Sequence, residues 1–157
     1  MSKEVMMVTG AGQISMAIAR RTGFGKKIVI GDKNPENCNA IAEIMKKAGF
    51  DVEPMTMDLS IKDSITEFIA KASEFGEIKY LVNGAGVSPS QASVETILSV
   101  DLFGTAVLLE EVGKVIAKGG SGVTISSQSG FRMPQLTPQQ DRALATTAPS
   151  ELLSLDV

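Results

Sequence analysis

The chain has 157 residues, of which 43% are hydrophobic and 21% are charged, so it is long enough for one domain with its own core. A net charge of −3 gives no reason to expect nucleic acid or an anionic membrane as a partner, and no apolar run reaches the roughly 20 residues that span a bilayer. Histidine is absent, which excludes Ser-His-Asp hydrolysis, Cys-His chemistry and most transition-metal sites. The single cysteine, Cys38, cannot form an internal disulfide, and the N-terminus shows no secretory signal, so we expect a cytoplasmic protein.

A glycine turn, which taken alone could be an ordinary Gly-rich turn, lies between a predicted strand and a predicted helix. The apolar run 5–8 predicts the strand, and the helical periodicity of 13–22 predicts the helix. Gly10 and Gly12 match the first two glycines of G-x-G-x-x-G, the turn that seats a dinucleotide pyrophosphate on a helix N-terminus. Ser15 occupies the third position, where a small residue still permits close packing of helix and strand.

Strand and helix patterns continue to alternate up to about residue 125. The elements predicted after the first pair are strands 27–31, 50–56, 78–82 and 123–125 and helices 35–48, 61–72 and 94–117. Asn34 and Pro35 form a helix start, and residues 60–63 resemble a capping box at the start of the next helix. Pro54 indicates a strand end or a sheet edge. The apolar residues that follow helical spacing in these first three helices are Ile14, Ile18, Ile41, Ile44, Met45, Ala48, Ile65, Phe68, Ile69 and Ala72.

This alternation favours right-handed βαβ crossovers and an α/β fold of the Rossmann type. We expect a doubly wound parallel sheet of about five strands in the order 3-2-1-4-5, because short, continuously apolar strands are typical of sheets covered on both faces. We assign residues 1–130 to this dinucleotide-binding domain. Residues 131–157 form a proline-containing tail with at most one short helix, near 139–145. The ligand crevice of such a sheet lies beyond the carboxyl ends of the strands.

Asp32 directly follows the second predicted strand, twenty residues after Gly12. A carboxylate there accepts hydrogen bonds from both ribose hydroxyls of an adenosine and repels a 2′-phosphate, so it favours NAD over NADP. Lys33 beside it can soften that discrimination. The alternative is a solvated aspartate in the turn before Asn34.

Four motifs together resemble the N-terminal part of the short-chain dehydrogenase/reductase family. Residues 9–15 are similar to its cofactor turn, although one residue shorter than T-G-x-x-x-G-x-G, and residues 57–59 are similar to its Asp-plus-apolar element that contacts adenine. Residues 83–86 resemble its N-A-G motif, and residues 125–130 resemble its S-S-x-x-G motif. The resemblance covers residues 4–131 and implies a nicotinamide dinucleotide site.

The resemblance also implies roles for particular residues. The second serine of the last motif, Ser127, would hydrogen-bond the substrate carbonyl or hydroxyl. Asp101 stands where the family usually has a helical asparagine, so it is either a proton-relay residue or a buried polar residue. The implied cofactor contacts are Thr9, Gly10, Gly12, Gln13, Ile14, Asp32, Asp58, Leu59, Asn83, Ala85 and Gly86.

The family's catalytic Tyr-x-x-x-Lys has no counterpart after Ser127. The only tyrosine, Tyr80, belongs to the fourth predicted strand, and the last lysine is Lys118. In that family motif, a tyrosine assisted by a lysine donates a proton to the substrate oxygen during hydride transfer. This chain therefore lacks that proton donor. We expect the 157-residue chain to be an inactive N-terminal fragment or truncated relative of such an enzyme, with 131–157 the incomplete start of its substrate region.

The predicted function is an NAD(P)-dependent oxidoreductase for a small alcohol or carbonyl, with NAD preferred and NADP possible. The alternative is a non-catalytic nucleotide-binding or interaction module with the same fold, and the 83–86 and 125–130 motifs argue against a methyltransferase. The fifth strand would leave an exposed edge, and helix 94–117 resembles one that the family uses for subunit contacts. We therefore predict a homo-oligomer unless the tail covers that edge.

Overall fold

The structure, a computed structural model, describes residues 3–156. Its five strands form one parallel sheet in the order β3-β2-β1-β4-β5, which confirms the predicted order. The strands are β1 Glu4–Thr9, β2 Lys27–Asp32, β3 Asp51–Thr56, β4 Glu77–Asn83 and β5 Ser121–Thr124. Because the order reverses between β1 and β4, a crevice opens at the carboxyl ends of these two strands.

Seven α-helices are described within residues 3–156, and they are α1 Gln13–Thr22, α2 Pro35–Lys47, α3 Lys62–Glu74, α4 Val94–Ile97, α5 Thr105–Val115, α6 Gln128–Arg132 and α7 Pro138–Thr146. A π-helical segment, Leu98–Gly104, joins α4 to α5, so the predicted helix 94–117 is one helical run of three segments. Across residues 3–156, every helix is too short or too polar to cross a bilayer.

The side chains of β1 alternate between two cores. Val5 and Met7 face the core that α3 and α5 cover, whereas Met6 and Val8 face the core that α1 and α2 cover. All four side chains are at most 1% exposed, because helices cover both faces of the parallel sheet. The fold is therefore the doubly wound α/β arrangement that the alternating sequence predicts.

The buried face of α1 differs from the prediction, because Ile14 is 59% exposed and Ile18 is only half-buried. The helix passes so close to the turn after β4 that a Cβ on Gly84 would lie 2.1 Å from the Ser15 hydroxyl oxygen. Only small residues fit at such a contact. The buried face of α1 therefore contains Ser15, the third motif position, and not Ile14 or Ile18. The residues that α1 buries are Ser15, Met16 and Ala19.

Cys38 lies on the buried face of α2 and is 1% exposed. Its sulfur lies 3.4 Å from the carbonyl oxygen of Ile30 on β2 and 3.6 Å from that of Met55 on β3. Burial raises the pKa of the Cys38 thiol, and the hydrogen bond with Met55 offsets this only in part. Ile44 is 51% exposed and Ala48 is exposed as well, although both follow the helical spacing of the sequence. The buried stripe of α2 consists of Cys38, Ala42 and Met45.

The start of α2 is as predicted, since Asn34 is its N-cap and accepts from two first-turn amides. The predicted capping box of α3 is wrong, because the apolar Ile61 occupies the N-cap position. Ser60 instead donates its hydroxyl to Asp58 Oδ1 at 2.6 Å, so it organises the loop after β3. The inner face of α3 is buried as predicted, and it comprises Ile65, Phe68, Ile69 and Ala72.

The chain after β5 contains more helix than predicted. Besides α7, which lies where the single short helix was expected, it forms α6 and a 3₁₀ helix, Pro149–Ser154. Leu152 of the 3₁₀ helix is 4% exposed, and this helix packs against the π-helical segment and α5. All four residues of β5 remain exposed. The tail thus covers part of the helical layer and leaves the outer strand accessible.

Candidate functional site

Gly10 lies where the turn after β1 meets the ends of β2 and β4. Its N–H donates to the carbonyl oxygen of Gly31 at 2.7 Å, and its φ is +77°. A Cβ on this residue would lie 2.8 Å from the Cα of Ala85. The positive φ and the close backbone approach both require glycine, so this residue allows the three strand ends to come together.

The N-terminus of α1 opens toward the crevice. Gly12 is the N-cap, and open space surrounds the position that a Cβ would take. The first amide N–H groups of a helix have no partners within the helix, and they lie at the positive end of its dipole. Gln13 and Ile14 beside them are uncharged and exposed. Free donors, open space and a positive helix end suit a phosphate group.

The carboxylate of Asp32 is held by two backbone amides. Oδ2 accepts from the N–H of Ala11 at 2.6 Å, and Oδ1 accepts from the N–H of Asn34 at 2.8 Å. The side chain is half-buried at the end of β2. A carboxylate has about four lone-pair positions, so each oxygen still has capacity to accept another hydrogen bond.

Asp58 forms an ion pair with the residue after Asp32. Lys33 Nζ lies 2.9 Å from Asp58 Oδ2, while both the N–H and the hydroxyl of Ser60 donate to Oδ1. Burial alone would raise the pKa of Asp58, but the hydrogen bonds from Ser60 and the contact with Lys33 outweigh it, so the pKa lies below its ordinary value. Asp58 is therefore a fixed carboxylate.

Asp32 and Asp58 line one cavity of about 180 Å³, which we call the Asp32 pocket. Its glycine and alanine walls come from the turns after β1 and β4 and from the end of β2, and its apolar walls come from the loop after β3 and the π-helical segment. Six of the residues assigned to the cofactor from the sequence are gathered here, and they are Gly10, Asp32, Asp58, Leu59, Ala85 and Gly86.

Thr9 and Asn83 lie behind this pocket and are at most 1% exposed. The Thr9 hydroxyl donates to Asn83 Oδ1 at 2.5 Å, and Asn83 Nδ2 donates to the Thr105 hydroxyl at 3.4 Å. These bonds connect β1 and β4 to α5. The two side chains thus hold the strand ends, and a ligand in the crevice would meet the backbone around them.

Asp101 lies on the π-helical segment and is exposed. The alternative that it is a buried polar residue is therefore wrong. Its Oδ1 accepts from the N–H of Val87 at 3.1 Å, which connects the helical run to the turn after β4. A π-helical turn is wider than an α-helical turn and is frequent at functional sites.

Asp101 and Ser127 line the same open cleft, which we call the Ser127 cleft and which has a volume of about 580 Å³. Ser127 is the N-cap of α6, and its hydroxyl oxygen accepts from the N–H of Ser129 at 3.1 Å. The cleft shares Ala85, Gly86 and Val87 with the Asp32 pocket, so the two cavities adjoin along the sheet edge.

No sequence motif indicates the supporting contacts of these residues. Thr105 and Val87 hold Asn83 and Asp101, yet they belong to no motif that sequence reasoning identified. The ion pair between Lys33 and Asp58 has a partial signal, since each residue follows a strand that ends at the same sheet edge. Their contact depends on loop geometry, which sequence spacing does not specify.

The comparisons with known proteins agree with this geometry. A family model described as short chain dehydrogenase matches residues 4–138. A short-chain dehydrogenase/reductase of Alternaria brassicicola is 39% identical, over 99% of this chain and 57% of its own length. A short-chain reductase of Streptomyces niveus is 30% identical, over 81% of this chain and 52% of its own length. The chain thus spans about half the length of the curated relatives that it matches.

Solved structures show the same fold. A short-chain dehydrogenase/reductase from Brucella melitensis superposes with a TM-score of 0.71 at 26% identity, over 83% of this chain and 59% of that one. One from Burkholderia phymatum, solved in complex with NAD, has a TM-score of 0.74 at 20% identity, over 98% of this chain and 57% of that one. The matched family model, the relatives and the shared fold lead to one conclusion: this chain belongs to the short-chain dehydrogenase/reductase family.

Proposed function

We propose that this chain is the nucleotide-binding part of an oxidoreductase that transfers a hydride between a nicotinamide dinucleotide and a small alcohol or carbonyl. The observation that carries the proposal is the alignment of three features along one sheet edge: the open N-terminus of α1, the Asp32 pocket and the Ser127 cleft. They suit a pyrophosphate, an adenosine and a reacting group in turn. A bound nicotinamide would supply or accept the hydride, and the residues of this chain would hold and orient it.

NAD is the proposed cofactor in preference to NADP. Each Asp32 oxygen is fixed by one backbone amide and retains capacity to accept from a ribose hydroxyl, whereas a 2′-phosphate would meet its negative charge. Lys33, the nearest cation in the sequence, already pairs with Asp58 at 2.9 Å. That pairing reduces its capacity to attract a phosphate.

Ser127 would orient the substrate oxygen from the edge of the cleft, because its hydroxyl oxygen is fixed by Ser129 and its hydrogen remains to donate. Positioning alone does not protonate an alkoxide. After Ser127 the 157-residue chain has neither tyrosine nor lysine, so we propose that this chain by itself does not catalyse the reaction.

The missing tyrosine and lysine also favour a second candidate, a non-catalytic nucleotide-binding module. Both candidates require nucleotide binding, so binding does not separate them. Sequencing the DNA downstream of codon 157 does, because an in-frame or frameshifted Tyr-x-x-x-Lys supports the enzyme and its absence supports the module. Under either candidate we propose a cytoplasmic location and self-association through the exposed β5 edge.

Calorimetric titration with NAD⁺ tests the nucleotide site directly. Gly12→Ala places a Cβ in open space on extended backbone, with φ −81° and ψ 171°, so the variant should fold while the methyl group obstructs the phosphates. Gly113→Ala is the matched control, since a Cβ there also meets open space but lies on α5. We expect Gly12→Ala to weaken binding at least tenfold and Gly113→Ala to leave it unchanged; equal affinities would contradict the proposed site.

A further inference from the structure

The Ser127 cleft carries a single negative charge. Among residues 3–156, Asp101 is the only acidic or basic residue that lines it. Within the same part of the chain, Asp101 forms no ion pair. This contrasts with Asp58 in the neighbouring pocket, whose charge is compensated by Lys33. A charged ligand in the cleft would therefore experience the field of Asp101 without a compensating cation.

The carboxylate of Asp101 is also fixed in position. Its Oδ1 accepts from the N–H of Val87 at 3.1 Å, and a Cβ on Gly86 would lie 3.2 Å from the same oxygen. Gly86 and Val87 line both the cleft and the Asp32 pocket. The charge is thus held against the turn that a dinucleotide would cross between the two cavities.

We infer that Asp101 makes this site bind the oxidised, cationic nicotinamide in preference to the reduced, neutral one. The inference rests on the proposed function, in which the ring must reach the carbonyl that Ser127 contacts and so enters the cleft that Asp101 lines. NAD⁺ and NADH differ in charge only at this ring. A carboxylate in the cleft therefore attracts NAD⁺ more strongly than NADH, whereas contacts with the adenosine and pyrophosphate act equally on both.

The ratio of two dissociation constants, NAD⁺ over NADH, measures this effect, because changes elsewhere in the site cancel. Asp101→Asn removes the charge and keeps an oxygen that can accept from Val87. Asp141→Asn on the exposed face of α7 is the matched control. ADP-ribose, which lacks the ring, serves as a probe of correct folding. Calorimetry of the whole chain with the three ligands gives all the values.

We expect Asp101→Asn to raise the ratio about fivefold or more, as attraction between unit charges in a partly solvated cleft implies, while Asp141→Asn leaves it unchanged. ADP-ribose should bind wild type and both variants alike. If Asp101→Asn loses ADP-ribose binding, Asp101→Ser is measured in its place with the same expectation. Tight binding with an unchanged ratio would overturn this inference alone. If the wild type binds none of the three ligands, the proposed function is overturned and the inference with it.

Discussion

The Asp32 pocket and the Ser127 cleft adjoin on one sheet edge, but they differ in how their polar groups are held. In the pocket, Asp32 is fixed by two backbone amides, and Asp58 is fixed by Ser60 and Lys33. In the cleft, Ser127 sits at the start of a five-residue helix, and every residue of 121–130 is exposed. The pocket lies at the ends of the inner strands β2, β1 and β4 and is closed by the loop after β3, whereas the cleft is bordered by the outermost strand β5.

Under the proposed function, nucleotide binding and proton transfer would depend on different parts of the chain. All residues that line the pocket lie within 3–87, except Val100. The cleft has a serine and a carboxylate in place, yet lacks in this chain a tyrosine to donate a proton. Polar groups that are already held in position bind a ligand without the cost of rearrangement. Catalysis requires a proton donor in addition.

The largest expected effect concerns turnover. We expect the 157-residue chain to show no oxidation of secondary alcohols or reduction of ketones with either nicotinamide cofactor, because general acid–base catalysis alone contributes about 10²–10⁴-fold and the positioning of the ring adds to it. The absorbance of the reduced cofactor, followed over a broad substrate panel, is the measurement. Turnover that disappears in Ser127→Ala would refute the contrast between pocket and cleft.

The turn that supports the pocket should be sensitive to one methyl group. Gly10→Ala forces a side chain into a φ of +77° and brings its Cβ within 2.8 Å of the Ala85 backbone, so we expect a loss of about 2–4 kcal/mol in the free energy of unfolding. Gly113→Ala in α5 should instead stabilise by about 0.5–1 kcal/mol, since its Cβ meets open space. Urea denaturation compares the two, and similar values for both variants would contradict the geometry of the turn.

Asp32→Ala should narrow the preference for NAD⁺ over NADP⁺. Removing a charged acceptor of ribose hydrogen bonds costs about 1.5–3 kcal/mol for NAD⁺, while NADP⁺ no longer meets the charge. Calorimetric titration of both cofactors gives the ratio of affinities. Asp63→Ala, an exposed site at the start of α3, is the control and should leave the ratio as in wild type. Tighter binding of NADP⁺ than of NAD⁺ by the wild type would show that the role given to Asp32 is wrong.

The exposed strand beside the cleft should promote self-association. Val123 on β5 is 43% exposed, and unpaired strand edges pair with other chains. Val123→Lys should weaken association about tenfold, because a charge would have to be buried in the contact. Ile44→Lys on α2 is the control, with a similar exposure of 51%. Sedimentation at increasing concentration measures the effect, and a monomeric wild type at every concentration would exclude this edge as an interface.

The smallest effect is the pH dependence of the Asp58 contacts. Its pKa is lower in the folded chain than the ordinary value of about 4, so its stabilisation is present above that value and is lost as the pH falls through the folded pKa. Asp58→Asn should lower the free energy of unfolding near neutral pH by about 1 kcal/mol or less, and the difference from wild type should shrink below about pH 4. Asp156→Asn, near the chain end, should show no such dependence. A constant difference at all pH values would contradict the ionised contact.

The sequence predicted the sheet well because strand order and boundaries follow from alternation and apolar runs. It predicted helix faces less well, since Ile14 and Ile44 match helical spacing but point away from the sheet. The close approach of α1 to Gly84 explains the first case, because only small residues fit there. Periodicity reports which residues are apolar and does not report how near a helix lies to its sheet.

The candidate site was only partly predictable for a related reason. The motifs identified candidate residues at the strand ends, and in the structure Asp32 and Asp58 line one pocket. Asp101 is exposed on a π-helical turn, and no residue pattern in 98–104 signals that turn. The capping box predicted at the start of α3 is absent, because a serine close to a helix start can also donate to a carboxylate in the preceding loop. Ser60 donates to Asp58 in this way.

Cys38 gives the molecule a built-in reporter of local opening. Its sulfur lies between α2 and the backbones of β2 and β3, is 1% exposed and has a raised pKa, so thiol reagents reach it only when this layer separates. As it is the only thiol in the chain, its labelling rate reports the local opening of the layer around Asp32 without any added probe. A ligand that holds β2 against α2 would lower the labelling rate of Cys38. The decrease would follow the fraction of the protein that carries the ligand.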